Sequence, residues 1–266
     1  MLARDDLDYL AGSHGRVLVI SPHFDDGVLS VGGLIARVIR DGAAVTVATV
    51  FSSPSDGPLS SAARAFHKRC GLGEDAMRRR AAEDREACRR LGAEPVHLGM
   101  REALYRQERQ GGPRYPEGSA IFGADVEAET AVVERAGELI GSLVADLHPV
   151  LVLAPLGVGR HIDHEITARA VRRMRLGRDR VCWFEDLPYA LYQHLTGWEG
   201  QLTVGLANVP VIMTEWSWQA KVAAITAYQS QLSVLWYEKT PWQAQLRSYA
   251  ERRGGGQPAE RLWRPA

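Results

Sequence analysis

A short run of apolar, mostly β-branched residues, Val17–Ile20, leads directly into the polar segment SPHFDDG at 21–27. Such a run is typical of a buried strand, and a helical pattern opens after the two carboxylates. Ligand sites in open α/β sheets lie at the carboxyl ends of strands, where this segment places one imidazole and two carboxylates. Because His23 and Asp26 are three residues apart, a turn entering a helix can aim both at one point while Asp25 projects elsewhere.

This spacing allows two interpretations. A metal ion held by His23 and Asp26 would leave Asp25 free for proton transfer. Alternatively, Asp25 or Asp26 caps the amino end of the following helix and has no chemical role. The segment alone does not decide between a metal site and a helix cap.

The alternation of buried runs and helical patterns continues along the chain. A helical pattern over 30–40 precedes a second buried run over 44–51, which predicts a β-α-β unit with parallel strands and a right-handed crossover. Further strands are predicted over 94–98, 150–154, 181–184 and 202–212, and further helices over 62–91, 126–147, 165–174 and 214–232. We therefore expect an α/β fold, a Rossmann-like and mainly parallel sheet flanked by helices on both faces.

No shift in composition marks a domain boundary. We therefore predict a single domain over 1–266, with a partly mobile tail over 251–266, where three consecutive glycines occur. The irregular segment 101–122 is predicted to be a long loop near the site.

The composition argues against several classes of protein. The chain has 32 basic residues (Lys and Arg) and 32 acidic residues (Asp and Glu), so its formal net charge is zero. No overall electrostatic field therefore favours binding to nucleic acid or to an anionic membrane. The three cysteines form no CxxC pair, which argues against a disulfide framework and a thiolate zinc site. No apolar run approaches the ~20 residues of a membrane span, and no signal peptide is apparent. We expect a soluble, cytoplasmic protein, and the residues leave its oligomeric state open, a homo-oligomer included.

A second polar cluster, HIDH at 161–164, follows the predicted strand 150–154. In a parallel sheet the carboxyl ends of strands lie at the same edge, so the two clusters can converge. His23, Asp26 and His164 would then form a set of two histidines and one carboxylate with open coordination positions. The HIDH cluster alone equally suits a helix cap, but two polar clusters at matching strand ends favour the metal site.

These motifs resemble a known family. The segment SPHFDDGVLSVGG is similar to the first signature of the PIG-L/LmbE-like zinc-dependent de-N-acetylases, usually His-Pro-Asp-Asp-Glu, and HIDH is similar to their second, His-x-Asp-His. The resemblance extends to RAAE at 80–83, PLG at 155–157, EDLPY at 185–189 and KVAAITAYQSQ at 221–231. It covers roughly residues 16–235, most of the chain.

The resemblance implies a Zn²⁺ ion held by His23, Asp26 and His164, although the same ligand set suits Fe²⁺. It implies that Asp25 is the general base. It also implies that His161 stabilises the oxyanion or protonates the leaving amine.

Three further candidates have alternative structural roles. Asp163 either orients His161 and keeps it protonated or caps the following helix. Arg80 and Glu102 resemble substrate-contact positions of the family, and each has a solvated-face alternative. The family often has Asp at the position of Glu102.

The chain departs from the family pattern at two positions of the first signature and just before the second. Phe24 replaces the usual proline, and Gly27 replaces the usual glutamate, so another residue must supply the support that this carboxylate gives. The tyrosine that some members carry before His-x-Asp-His is absent, since VGR stands at 158–160.

The predicted function is a metal-dependent hydrolase that removes an N-acetyl or other N-acyl group from an amino sugar or glycosylated small molecule by attack of a zinc-bound water. Two alternatives remain: a metal-dependent amidase acting on a non-sugar amide, and a catalytically silent Rossmann-like binding module. A nucleotide-binding dehydrogenase is disfavoured, because no GxGxxG follows the first strand. The expected partner is a small N-acetylated sugar conjugate.

Overall fold

The computed structural model describes residues 15–54, 57–192, 198–236 and 239–266. The strands in these residues are β1 (Arg16–Ser21), β2 (Ala44–Phe51), β3 (Glu94–Met100), β4 (Leu151–Pro155), β5 (Val181–Phe184), β6 (Leu206–Ile212) and β7 (Ala259–Pro265). They form one seven-stranded sheet with the order β3-β2-β1-β4-β5-β7-β6. Strands β1 to β5 pair with one another in parallel, whereas β7 is antiparallel to both β5 and β6.

Ten α-helices lie within the described residues. They are α1 (Asp26–Arg40), α2 (Ser61–Arg69), α3 (Ala76–Leu91), α4 (Thr130–Leu147), α5 (Ile162–Arg173), α6 (Tyr189–Tyr192), α7 (Trp198–Leu202), α8 (Glu215–Ile225), α9 (Gln229–Leu235) and α10 (Trp242–Arg253). Short 3₁₀ helices lie at Ala103–Tyr105, Gly118–Ile121, Val126–Glu129 and Arg178–Arg180. None of the described helices is both long enough and apolar enough to cross a membrane.

The central strands are buried on both faces. All residues of β4, and all but the first residue of β1 and of β2, are buried. A strand without an exposed face needs cover on both sides, which explains its continuous apolar sequence. Helix α1 packs against α3 and α8, and α4 packs against α5. The prediction of a mainly parallel α/β sheet flanked by helices is confirmed.

The parallel register brings two strand ends together. Val17 pairs with Leu151 and Val19 with Leu153, so β1 and β4 run side by side in the same direction. The segments that follow them, 21–27 and 155–164, therefore leave the sheet at the same edge. This edge carries the predicted site.

The structure differs from the sequence prediction at the end of the chain. Residues 251–266, for which the sequence predicted partial mobility, instead complete α10 and form β7, which lies between β5 and β6. The glycines form a tight turn: Gly255 and Gly256 have φ values of 64° and 101°. Glycine adopts these angles without steric cost, so the run reverses the chain from α10 into β7.

Two predicted helices are each divided in two. The segment 62–91 forms α2 and α3, and the segment 214–232 forms α8 and α9. In the first case, Gly71 has a φ of 64° just after α2, which a continuing helix does not allow.

Candidate functional site

The turn after β1 is fixed by short local hydrogen bonds. The backbone N–H of His23 donates to Asp26 Oδ2 at 2.7 Å, and His23 Nδ1 lies 3.1 Å from the same oxygen. Helix α1 begins at Asp26, and the side chain of Asp25 makes no capping hydrogen bond although Asp25 stands at the N-cap. The carboxylate of Asp25 instead lines a cavity and is 4% exposed.

Ser21 braces this turn beside Gly27. Its Oγ accepts from the backbone N–H of Gly27 at 2.8 Å and donates to the carbonyl of His23 at 2.5 Å. A Cβ at position 27 would lie 3.2 Å from Val19 Cγ1 and 3.3 Å from Ser21 Oγ. The space where the family usually has a glutamate side chain is thus partly filled by Ser21.

The segment after β4 depends on partners from elsewhere in the chain. His164 is fully buried in α5, and its Nδ1 lies 2.6 Å from Asp186 Oδ1. The other oxygen of Asp186 accepts from the backbone N–H groups of Gly157 and Val158 at 2.8 and 2.9 Å. Asp186, which follows β5, therefore orients His164 and holds the loop before it.

His161 occupies the N-cap of α5. Its Nδ1 accepts from the backbone N–H of Asp163 at 3.2 Å, so the helix-cap interpretation of this cluster applies to His161. Burial, with His23 close by, holds the pKa of His161 well below its ordinary value. The neutral ring with Nδ1 as acceptor carries its proton on Nε2, which makes that nitrogen a hydrogen-bond donor.

The carboxylate of Asp163 meets His23 rather than His161. Asp163 Oδ2 lies 3.1 Å from His23 Nε2 and accepts from the backbone N–H of Ala103 at 2.8 Å. Its Oδ1 forms an ion pair with Arg106. The predicted orienting role is therefore corrected, because within the described residues this carboxylate orients His23, and only the backbone N–H of Asp163 contacts His161.

The three predicted metal ligands converge. One donor atom from each of His23, Asp26 and His164 lies within 4.8 Å of the others. His164 Nε2 lies 3.2 Å from Asp26 Oδ2, yet it is buried and has no hydrogen-bond partner among the residues that the structure describes. An unsatisfied buried polar atom costs about 1–3 kcal/mol, so this nitrogen is suited to a ligand that the donor set can hold.

The electrostatics of the cluster also suit a cation. Burial opposes the charge on His164, but Asp26 and Asp186 raise its pKa to about 9. Burial, with Asp26 next to it, raises the pKa of Asp25 to about 6. Two neighbouring histidines each held by a carboxylate, Asp163 or Asp186, match the carboxylate–histidine arrangement found around protein-bound metals. The residues present therefore fit a divalent metal ion.

Arg80 and Glu102 form a buried ion pair next to Asp25. Arg80 Nη1 donates to Glu102 Oε1 at 2.6 Å, and the two residues are 4% and 6% exposed. The guanidinium lies 5.6 Å from the ring centroid of Phe24 and 5.9 Å from that of Phe66. The solvated-face alternative is wrong for both residues.

A tyrosine from another segment lies beside the second cluster. The ring of Tyr189 lies 5.1 Å from that of His164 and 6.4 Å from that of His161, centroid to centroid. Gly159, with a φ of 91°, permits this approach, because a Cβ there would lie 2.6 Å from Tyr189 Cγ. The sequence offers no tyrosine immediately before HIDH, but the fold supplies Tyr189 to the same cavity.

One cavity of about 830 Å³ contains most of the predicted site. Its lining includes His23, Asp25, Asp26, Arg80, Glu102, His161 and Asp163. His164 lies behind the lining, against Asp26. The structure thus brings every predicted site residue to one place.

A protein-family model matches more than half of the chain. Residues 18–175 match the PIG-L model, described as GlcNAc-PI de-N-acetylase. The chain belongs to the PIG-L family. The family resemblance inferred from the two signatures is confirmed.

Three relatives extend the similarity over nearly the whole chain. A 2′-N-acetylparomamine deacetylase of Streptomyces fradiae is 31% identical over 95% of this chain and 90% of its own length. The zinc-inhibited form of the teicoplanin deacetylase Orf2 matches with a TM-score of 0.85 and 28% identity over 94% of this chain and 98% of that one. The A40926 pseudoaglycone deacetylase Dbv21 matches with a TM-score of 0.77 and 32% identity over 94% and 97%. All three are named as deacetylases, which agrees with the predicted activity.

Sequence reasoning missed three residues that shape the site. Asp186 was considered only as part of the EDLPY segment, which could either line the pocket or close a turn, Arg106 lies in an irregular segment, and Ser21 was given no role. Asp186 contacts the ligand His164, Ser21 contacts the backbone of His23, and Arg106 contacts Asp163, which in turn meets His23. Of the three, Asp186 had a signal, because it follows a buried strand as the other clusters do.

Proposed function

We propose that this protein is a metal-dependent N-deacetylase that acts on an N-acetylated amino sugar within a glycosylated small molecule. One observation carries the proposal: His23, Asp26 and His164, whose Nε2 has no hydrogen-bond partner among the described residues, converge beside a cavity that also contains Asp25 and His161. The names of the related deacetylases support the amino-sugar class.

Zn²⁺ is the metal that we propose for His23, Asp26 and His164. Two nitrogens and one carboxylate oxygen are a common catalytic zinc set, and a related structure is described as zinc-inhibited. When bound, such an ion lowers the pKa of water and polarises the amide carbonyl. Fe²⁺ suits the same donors, so the native metal is part of the test.

Asp25 is proposed as the general base. With a pKa of about 6 it is mostly ionised at neutral pH, and its carboxylate lines the cavity in which the amide would bind. A base with a pKa close to the working pH accepts a proton efficiently during attack.

His161 is proposed to stabilise the developing oxyanion. The backbone N–H of Asp163 occupies Nδ1, which leaves Nε2–H as the donor on the ring. Such donors are often worth ~3 kcal/mol in the transition state. The proton that Asp25 accepts is then available for the leaving amine.

Arg80 and Glu102 are proposed to contact the sugar. Their ion pair fixes both side chains in the cavity wall, where a guanidinium and a carboxylate can bind hydroxyl groups.

The three cysteines are buried and free, which supports a location in a reducing compartment such as the cytoplasm.

The test is acetate release by protein stripped of metal and reloaded with Zn²⁺ or Fe²⁺. We expect one of the two metals to restore hydrolysis of N-acetylglucosamine conjugates. Release from non-sugar acetamides alone would overturn the amino-sugar class, and no release from either, with metal bound, would overturn the deacetylase proposal.

A further inference from the structure

The cavity that contains the site residues is also lined by apolar side chains. We call these side chains the apolar wall: Phe66, Leu104, Ile121, Phe122, Val234 and Leu235. They come from α2, from the segment after β3, and from α9. Five of them are half-buried, and Phe122 is 45% exposed. The apolar wall is thus covered only in part by the protein itself.

The cavity is larger than one sugar requires. Its volume of about 830 Å³ lies in the upper part of the roughly 300–1,000 Å³ range of small-molecule sites. A single N-acetylated sugar ring is smaller than this volume, so it leaves part of the apolar wall exposed to water. Covering it removes apolar surface from water, which favours an apolar ligand group.

The carboxylates of the cavity lie close to basic side chains of the protein. Among the described lining residues, Asp26, Asp163 and Glu102 face a histidine or an arginine, and the charge of Arg80 also acts on Asp25. Arg69 lies beside the apolar wall, with its guanidinium 6.0 Å from the ring centroid of Phe66. A ligand group with ammonium charges at this wall would meet that guanidinium, and the described lining has no Asp or Glu beyond these four.

We propose that the substrate carries its N-acetylated sugar on an apolar, aryl or alkyl aglycone that binds against the apolar wall, rather than on a polyamine. The inference rests on the proposed function for the identity of the reacting group. It adds the chemical class of the rest of the molecule.

The experiment compares methyl, benzyl and hexyl glycosides of N-acetylglucosamine with the same sugar linked to an aminocyclitol that bears free amines. The zinc-loaded full chain is assayed for acetate release. Binding of the same compounds to the Asp25→Asn variant is measured by calorimetry. We expect kcat/KM for the benzyl and hexyl glycosides to exceed that for the methyl glycoside by about tenfold or more, through KM. The aminocyclitol conjugate is expected to fall below the methyl glycoside.

The two proposals fail in different ways. Equal rates and equal affinities for the methyl, benzyl and hexyl glycosides, or a preference for the aminocyclitol conjugate, would overturn the aglycone inference and leave the deacetylase intact. Tighter binding of the benzyl glycoside without acetate release from any compound would support the aglycone inference and overturn the proposed function.

A charge variant tests the apolar wall directly. Val234→Glu places a carboxylate in it, and Gln229→Glu adds the same charge at an exposed position of α9 outside the cavity. We expect the benzyl-to-methyl ratio of kcat/KM to fall towards one in Val234→Glu and to stay unchanged in Gln229→Glu. Because the ratio is internal to each sample, partial loss of folded protein does not alter it. A ratio unchanged in Val234→Glu would contradict the proposal.

Discussion

The two segments that supply the proposed metal ligands are built in different ways. The segment 21–27 is held by bonds within seven residues, from Ser21 to Gly27 and from the His23 N–H to Asp26. The segment 155–164 is held by a distant partner, Asp186, while Arg106 reaches across to the Asp163 carboxylate. The turn of the first segment is therefore fixed largely by local bonds, with Asp163 as a distant partner of His23, whereas the second segment depends on a partner that follows another strand. This difference predicts which substitutions act on metal binding and which act on folding.

Removing a ligand from the distant segment should have the largest effect. His164→Ala deletes the imidazole whose Nε2 faces Asp26 and whose Nδ1 faces Asp186, and we expect metal content after dialysis to fall to background by elemental analysis. His148→Ala is the matched control, because this exposed histidine ends α4 on the opposite edge of the sheet. A full equivalent of metal in His164→Ala would contradict the ligand assignment.

The carboxylates behind the histidines should have the next largest effect. Asp186→Asn and Asp163→Asn keep the side-chain shape but remove the charge that orients His164 or His23. Loss of such a partner typically weakens metal affinity by about 10–100-fold, which a competition titration with a chelator measures. Affinity unchanged in both variants would show that the histidines are oriented by other contacts.

Ser21 and Gly27 should act mainly on stability. We expect Gly27→Ala to cost about 1–3 kcal/mol in the free energy of unfolding, because its Cβ would crowd Val19 and Ser21. Combining it with Ser21→Gly relieves part of the crowding, so the double variant should be more stable than the sum of the two single changes predicts. Urea denaturation of the unsubstituted protein, the two single variants and the double variant measures the coupling energy between positions 21 and 27. If the two losses of stability simply add, the proposed contact between these positions is contradicted.

The turn before β7 should show the smallest effect. Gly256→Ala forces a side chain into a backbone with a φ of 101°, at a cost of about 1–2 kcal/mol. Ala220→Gly in α8 is a control for a change of one methyl group, with an expected cost of roughly 1 kcal/mol. Thermal denaturation measures both, and no loss in Gly256→Ala would mean that the turn adopts another conformation.

The strand ends explain why much of the site was predictable. His23, Asp26 and HIDH follow continuous apolar runs, and parallel pairing of β1 and β4 necessarily brings such ends to one edge. The positions of these residues directly after predicted strands were therefore enough to predict that they lie close together. The sequence pattern also predicted six of the seven strands, all but β7, and the α/β order.

Long-range partners explain what was missed. Arg106 reaches Asp163 from an irregular segment, and Asp186 reaches His164 from the end of another strand, so neither contact has a fixed spacing in the sequence. The tail was misjudged because glycine runs occur both in mobile linkers and in tight turns. Only the pairing of β7 with β5 and β6 distinguishes the two.

The central claim is that His23, Asp26 and His164 hold a metal while Asp25 acts as the base beside it. The most direct measurement is the metal content and the rate of acetate release of zinc-loaded Asp25→Asn. We predict one equivalent of metal, as in the unsubstituted protein, and a rate lowered by at least about 10²-fold. Activity close to that of the unsubstituted protein with metal bound, or loss of the metal itself, would contradict the separation of roles between Asp25 and Asp26.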